Sequence, residues 1–233
     1  MASVKYGALI TELKGKIGGT VFQGGPAGSV AKNIDAIADS AKLTKADAGR
    51  AFPPRKIIAQ VSGLWRLLSQ LQRDAWNAAA PLWPATNRFG EVYTPSGFNV
   101  FMKLNAQMVN LTGVSLSDPP IGISIPLLDP ITIAVPDDIE FNVDLPGGVP
   151  AGFYLRTEAT MPMGIAINPK NSFFKIIAQT PSGVIFPQDM ADGYKEVYGL
   201  WLNVCTIWTR FCLVSSTTGQ KGIYQYYKTN VNF

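Results

Sequence analysis

The chain has 233 residues, 47% of them apolar and only 15% charged, with a net charge of +4. That length suits one large domain or two modest ones, and the balance excludes a disordered chain and favours a protein that hides much of its surface against neighbours. Histidine is absent, and Cys205 and Cys212 are the two cysteines; this excludes Ser-His-Asp and Cys-His nucleophile pairs and a structural zinc site.

Residues 1–30 read as a flexible, glycine-rich arm. Gly15, Gly18, Gly19, Gly24, Gly25 and Gly28 fall within fourteen residues, which forbids a stable helix. Val21 and Phe22 sit between them in the order GGTVFQGG, the pattern of one short strand between hinges. Such an arm cannot bury Phe22 within itself, so it must dock on its own body or on another subunit. The phosphate-cradle reading of GKIGG or GGPAG fails, since neither completes a nucleotide-binding glycine pattern.

Residues 31–54 are rich in Ala, Asp and Lys. They predict an exposed linker, or a marginal helix over 33–42 with Ile34, Ile37 and Ala41 on one face. Over 55–80 the helical signal is clear: Ile57, Val61, Leu64, Leu68 and Leu71 recur at spacings of four and three. Ser69 and Gln72 fit a capping box, which predicts two helices, 55–68 and 70–80, stopped by Pro81 and Pro84. Trp65 and Trp76 flank the stripe and read as core, with a carbohydrate or base platform as the alternative. A further helix over 95–110 has Ser96 as its N-cap, with Phe98, Phe101, Met102, Met108 and Val109 as its apolar face.

Beyond Leu111 the period changes to two. Strands are predicted near 121–125, 130–135, 138–145, 152–160, 172–179, 183–187, 201–214 and 223–231. Their number and spacing fit an antiparallel immunoglobulin-like β-sandwich, without the Cys…Trp…Cys hallmark of antibody domains. The fold class is therefore α+β, divided into an arm and linker (1–54), a helical module (55–112) and a β-sandwich (113–233). Strand 201–214 is apolar on both faces, with Trp201, Cys205, Ile207 and Phe211 on one and Leu202, Val204, Trp208 and Cys212 on the other, so it is covered twice. The odd spacing of the cysteines sets them on opposite faces and disfavours a disulfide. Arg156 and Glu158 alternate with Leu155 and Thr157 and are expected to share an exposed face. Asp137, Asp138 and Glu140 are either a calcium site or a solvated strand start; Asp189 and Asp192-Gly193 read as loop or turn.

Charge is unevenly placed. Residues 1–110 hold 13 Lys/Arg and 6 Asp/Glu, whereas 111–233 hold 7 and 10. A basic front half invites nucleic acid, through Lys14, Lys16, Arg50, Arg55 and Lys56, or an acidic protein surface. The charges are scattered singly, which favours protein. No apolar run reaches the length of a membrane span and no signal-peptide core is seen, so the expectation is synthesis in the cytoplasm and no membrane partner. No catalytic residue, cofactor or metal site is read. The candidate subunit contacts are Gly18, Gly19, Val21, Phe22, Gly24 and Gly25 in the arm, and Trp201 and Phe211 in the doubly covered strand.

The run TELKGKIGGTVFQGG, then WRLLSQLQRDAWN, then NRFG…PSGFNVFMKLN resembles a family of small uncharacterised proteins of tailed bacteriophages and prophages. The matching residues are Gly15, Gly18, Gly19, Val21 and Phe22; Trp65, Leu68, Ser69, Gln72, Arg73, Ala75, Trp76 and Asn77; and Asn87, Gly90, Gly97, Phe98, Phe101 and Asn105. PAGFYLRTEAT and TTGQ are similar to the sandwich halves of related proteins in phages and genomes of Bacteroidetes. Residues 31–54 depart from the Asn-Pro- and Arg-rich link of such proteins. The resemblance implies a virion structural protein rather than an enzyme: a capsid-associated decoration protein, or a head–tail or tail component. Its partners would be capsid, portal or tail subunits and copies of itself. A host-glycan module using Tyr194, Tyr198, Tyr224 and Tyr226, or a nucleic-acid-associated virion protein, are the alternatives.

Overall fold

The computed structural model describes residues 2–4, 15–17, 20–24, 29–33, 53–87, 89–135, 140–164, 167–199 and 205–231. It mixes helices with antiparallel sheets and divides into two compact units, 1–106 with 115–120, and 107–114 with 121–233.

The described residues of 1–33 form a four-stranded antiparallel sheet of β1 (Ala2–Val4), β2 (Gly15–Ile17), β3 (Thr20–Gln23) and β4 (Ser29–Asn33), in the order β1-β4-β3-β2. The expected strand at Val21–Phe22 is present, but it is not alone. β3 pairs with β2 on one side and β4 on the other. The marginal helix over 33–42 lies outside the described residues apart from Asn33, which ends β4.

Helix α1 (Pro53–Leu67) opens on two prolines, which the first turn tolerates because its N–H groups have no intrahelical acceptor. Helix α2 (Gln70–Ala79) starts at Ser69, as its spacing predicts. The Ser69 hydroxyl accepts from the Gln72 N–H, and the Ser69 N–H donates to the Gln72 side chain at 3.0 Å. This cap also corrects the apolar stripe. Helical phase restarts after Ser69, so Leu71 is 81% exposed while Trp76 is completely buried. The hairpin β5 (Ala85–Thr86) and β6 (Val92–Tyr93) precedes helix α3 (Gly97–Thr112), whose Asn99 N–H donates to the Ser96 hydroxyl at 3.3 Å.

The core of this unit is aromatic. Trp65 meets Phe98 and Phe101 edge-on at 5.4 and 5.1 Å, and Trp76 meets Phe101 at 5.2 Å. Trp76 Nε1–H donates to the Ser117 carbonyl at 2.8 Å, which lets the indole be fully buried. Gly97 donates to Asn77 Oδ1 at 3.2 Å, and a Cβ on it would lie 2.5 Å from that oxygen, so only glycine allows α3 to start so close to α2. Buried Asn105 clamps the chain beyond α3: its Oδ1 accepts from the Leu116 N–H at 2.6 Å, and its Nδ2 donates to the Phe101 and Leu116 carbonyls.

The described residues of the second unit form seven strands. They are β7 (Thr132–Ala134), β8 (Asn142–Asp144), β9 (Phe153–Ala159), β10 (Lys175–Pro181), β11 (Gln188–Asp189), β12 (Cys205–Ser215) and β13 (Gln225–Val231). One sheet has the order β10-β9-β12-β13 and the other β11-β8-β7. Both feed one core, with Phe141 and Val143 from the β8 side and Leu155, Ile207, Phe211 and Leu213 from β9 and β12. Helix α4 (Ala191–Tyr198) joins β11 to β12 and adds Tyr194 to that core, stacked 5.9 Å from Phe141.

Three sequence expectations are corrected here. Asp192-Gly193 lies in α4, not in a loop. Residues 121–125 pair with no strand: Pro119, Pro120 and Pro126 remove ladder donors, and the Ile123 N–H goes to the Gln220 side chain instead. The strand expected at 183–187 is a turn, and the short β11 follows its cis Phe186–Pro187 bond.

Candidate functional site

The first candidate is the set of sheet edges, because an unpaired edge is a template for another chain. In the C-terminal unit the long sheet has its edges blunted. At β10 the register with β9 shifts at Ile177, and Gly193 of α4 comes so close to the Ile177 carbonyl that a Cβ would collide with it. At β13 the strap 121–131 runs alongside, held by side chains. Gln220 Oε1 accepts from Ile123 N at 3.0 Å, Gln225 Nε2 donates to the Leu128 carbonyl at 2.8 Å, and Tyr227 Oη accepts from Ile131 N at 3.0 Å. The N-terminal sheet differs: among the described residues, β1 pairs only with β4 and β2 only with β3.

The residues singled out in the sequence fall on this frame as follows. Gly18, Gly19, Gly25 and Trp201 lie outside the described residues. Val21 registers with Lys16 and Lys32, and half-buried Phe22 registers with Gly15 and Ala31, so the one large ring of its row stands between small residues. Gly24, also half-buried, follows β3. Phe211 is a correction: it is fully buried, 5.6 Å edge-on from Tyr227 in the core, and offers nothing to a partner.

The second candidate is the face of the long sheet turned away from the core. Arg156 and Glu158 were expected on an exposed face; they are 3% and 5% exposed, because neighbouring strands and aromatic rings cover them. Arg210 sits 4.3 Å from the ring centroids of both Phe174 and Tyr224. Its Nε and Nη2 reach Glu158 Oε2 at 2.7 and 2.6 Å, and Nη1 reaches Asn171 at 3.0 Å. Tyr224 donates to Glu158 Oε1 at 2.9 Å and accepts from Lys221 Nζ at 2.9 Å. Burial, with Cys212 and Glu158 nearby, pushes the Tyr224 hydroxyl above its ordinary range. Burial opposes the Arg210 charge, yet the Glu158 hydrogen bonds hold its pKa above the usual value. Buried Cys212 is likewise raised by desolvation, so its thiol is no activated nucleophile. This cluster was missed because alternation alone puts charged residues outside; the signal was Phe, Tyr and Trp on the same faces of the neighbouring strands.

The four tyrosines of the glycan reading do not form one platform. Tyr194 is fully buried and donates to the Thr160 carbonyl; Tyr198 donates to the Ala159 and Phe173 carbonyls, and burial pushes its pKa up to about 12. Tyr224 serves Glu158, leaving Tyr226 half-exposed. Of the basic residues considered for nucleic acid, Lys14 and Arg50 lie outside the described residues and Lys56 is exposed on α1. Asp137 and Asp138 also lie outside them, and Glu140 accepts from Asn142 at 2.8 Å. Asp189 Oδ1 accepts from the Phe141 and Ala191 N–H groups, both at 2.9 Å, tying β8 to the start of α4. No group of three metal-ligating side chains occurs among the described residues, and no helix there is long and apolar enough to cross a membrane. No family model matches the chain, nor does any curated protein or solved structure.

Proposed function

We propose that this chain is a non-enzymatic structural subunit of a tailed-bacteriophage particle, a capsid-associated or head–tail or tail component that binds neighbouring subunits through its N-terminal sheet. The observation that carries the reading is the contrast of edges. The long C-terminal sheet has a helix against one edge and a strap along the other, whereas β1 and β2 each have a strand on one side only among the described residues. Strand addition on such an edge gives affinity through main-chain hydrogen bonds without a dedicated pocket. The residues shared with the phage family act in ways that fit a scaffold: Ser69 and Gln72 cap α2, Trp76 fills the core, Asn77 seats Gly97, and Asn105 clamps Leu116. Leu127 and Ile223, 77% and 76% exposed, line a groove of about 290 Å³, an apolar surface suited to being covered in an assembly.

We further propose that the C-terminal unit is an immunoglobulin-like sandwich. What supports this is the strand order: lettered in chain order, its strands form sheets A-B-E and D-C-F-G, which differs from the immunoglobulin order in the fourth strand lying beside the third.

Deleting residues 1–33 tests the reading. In purified particles the deleted chain is expected to be missing from the protein inventory, while the isolated variant keeps its cooperative unfolding transition. Normal particle occupancy of the deleted chain refutes the proposal.

A further inference from the structure

Three cations share the outward face of the long sheet with one carboxylate. Arg156 lies on β9 and registers with Cys212 of β12; two residues on, Glu158 registers with Arg210. Residues two apart on a strand share a face, so both arginines and Glu158 stand on the same side. Lys221 bridges to Val214, two residues from Cys212 on that face, which puts it on the same face of the sheet but on the other side of β12 from Arg156. Glu158 is already committed, with one oxygen taking Arg210 and the other Tyr224. Arg156 is left over. It is 3% exposed, and its Nε and Nη2 are buried with no hydrogen-bond partner.

A buried guanidinium with two idle nitrogens is costly unless an anion meets it. Nη2 and Nε lie side by side on one edge of the fork, the edge that grips two oxygens of a carboxylate, phosphate or sulfate. Exposed Lys221 stands near the rim and contributes a compact charge with rotatable donors. We propose that Arg156 and Lys221, backed by the positive field of Arg210, form a binding site for a small tetrahedral oxyanion such as phosphate or sulfate. The site uses residues of the C-terminal unit alone and none of the N-terminal edge strands, so either proposal can fail without the other.

The test is thermal unfolding of the full chain at constant ionic strength, with chloride exchanged stepwise for phosphate. A bound ligand stabilises by RT ln(1 + [L]/Kd), so Tm keeps rising with the logarithm of concentration above Kd, whereas general salting effects act on any protein. The wild type is expected to show a rise in Tm that turns logarithmic in phosphate in the millimolar range and exceeds that of the variants. Arg156→Met should lose this excess rise, and Lys221→Met should move its onset to several-fold higher phosphate. Phosphorus NMR keeps the question open to refutation should Arg156→Met fail to fold: the inorganic phosphate line should broaden with wild-type protein and sharpen when sulfate competes. Equal rises in wild type and Arg156→Met, or a phosphate line that stays sharp with the wild type, overturn the proposal.

Discussion

The N-terminal and C-terminal sheets solve the problem of the unpaired edge in opposite ways. The C-terminal unit sets a helix on the bulge of β10 and ties a strap along β13. The N-terminal sheet ends, among the described residues, in β1 and β2 with one partner each. An edge that is blunted resists further pairing and an edge left open invites it. On the proposed reading, that difference separates a body that keeps to itself from a segment that joins other chains.

The largest effect is expected at Phe211, which sharpens the first half of the comparison. A fully buried phenyl ring truncated to methyl loses about 3–5 kcal/mol, so Phe211→Ala should shift urea unfolding of the C-terminal unit by that amount. A change near zero in the isolated chain would return Phe211 to the role of a subunit contact.

A smaller effect is expected where α4 meets β10. Gly193→Ala places a Cβ into the Ile177 carbonyl, and neither backbone can yield cheaply. Overpacking of this kind costs about 1–3 kcal/mol. As the helix lifts, β10 should become open to pairing, and concentration-dependent association should rise in sedimentation velocity. Unchanged stability would mean that α4 does not hold that edge.

The helical module was legible because its signals are local. Ser69 and Gln72 are three residues apart, and their capping box lies where the spacing predicts. The C-terminal strands from β9 on were legible from alternation, except where proline intervened. Long-range compensation was hidden. Glu158 reads as a surface acid until Arg210, 52 residues away, is brought within 2.6 Å. Phe211 reads as spare apolar surface on a doubly covered strand until strands on both sides close over it. Residues 121–125 of the strap read as a strand because β-propensity ignores whether the hydrogen-bond partner is a backbone group or a side chain such as Gln220, which accepts from Ile123. The edges of the N-terminal sheet were hidden for the same reason: glycine spacing locates one strand, not its neighbours.

The smallest effect on stability should accompany the sharpest effect on assembly. Of two adjacent residues in an edge strand, one turns its N–H toward the paired strand and the next toward the open side. Lys16→Pro and Ile17→Pro therefore divide the work on β2. One removes a donor from the pairing with β3, and the other removes a donor from the free edge. Both should abolish association of the full chain in sedimentation velocity, and neither should move urea unfolding of the C-terminal unit by more than about 0.5 kcal/mol. The variant that keeps the β2–β3 pairing is the decisive one, since it alters only what a neighbouring strand would bind. If that variant still assembles at the wild-type concentration, β2 is not the edge being used, and the same substitutions in β1 decide whether the sheet joins chains at all.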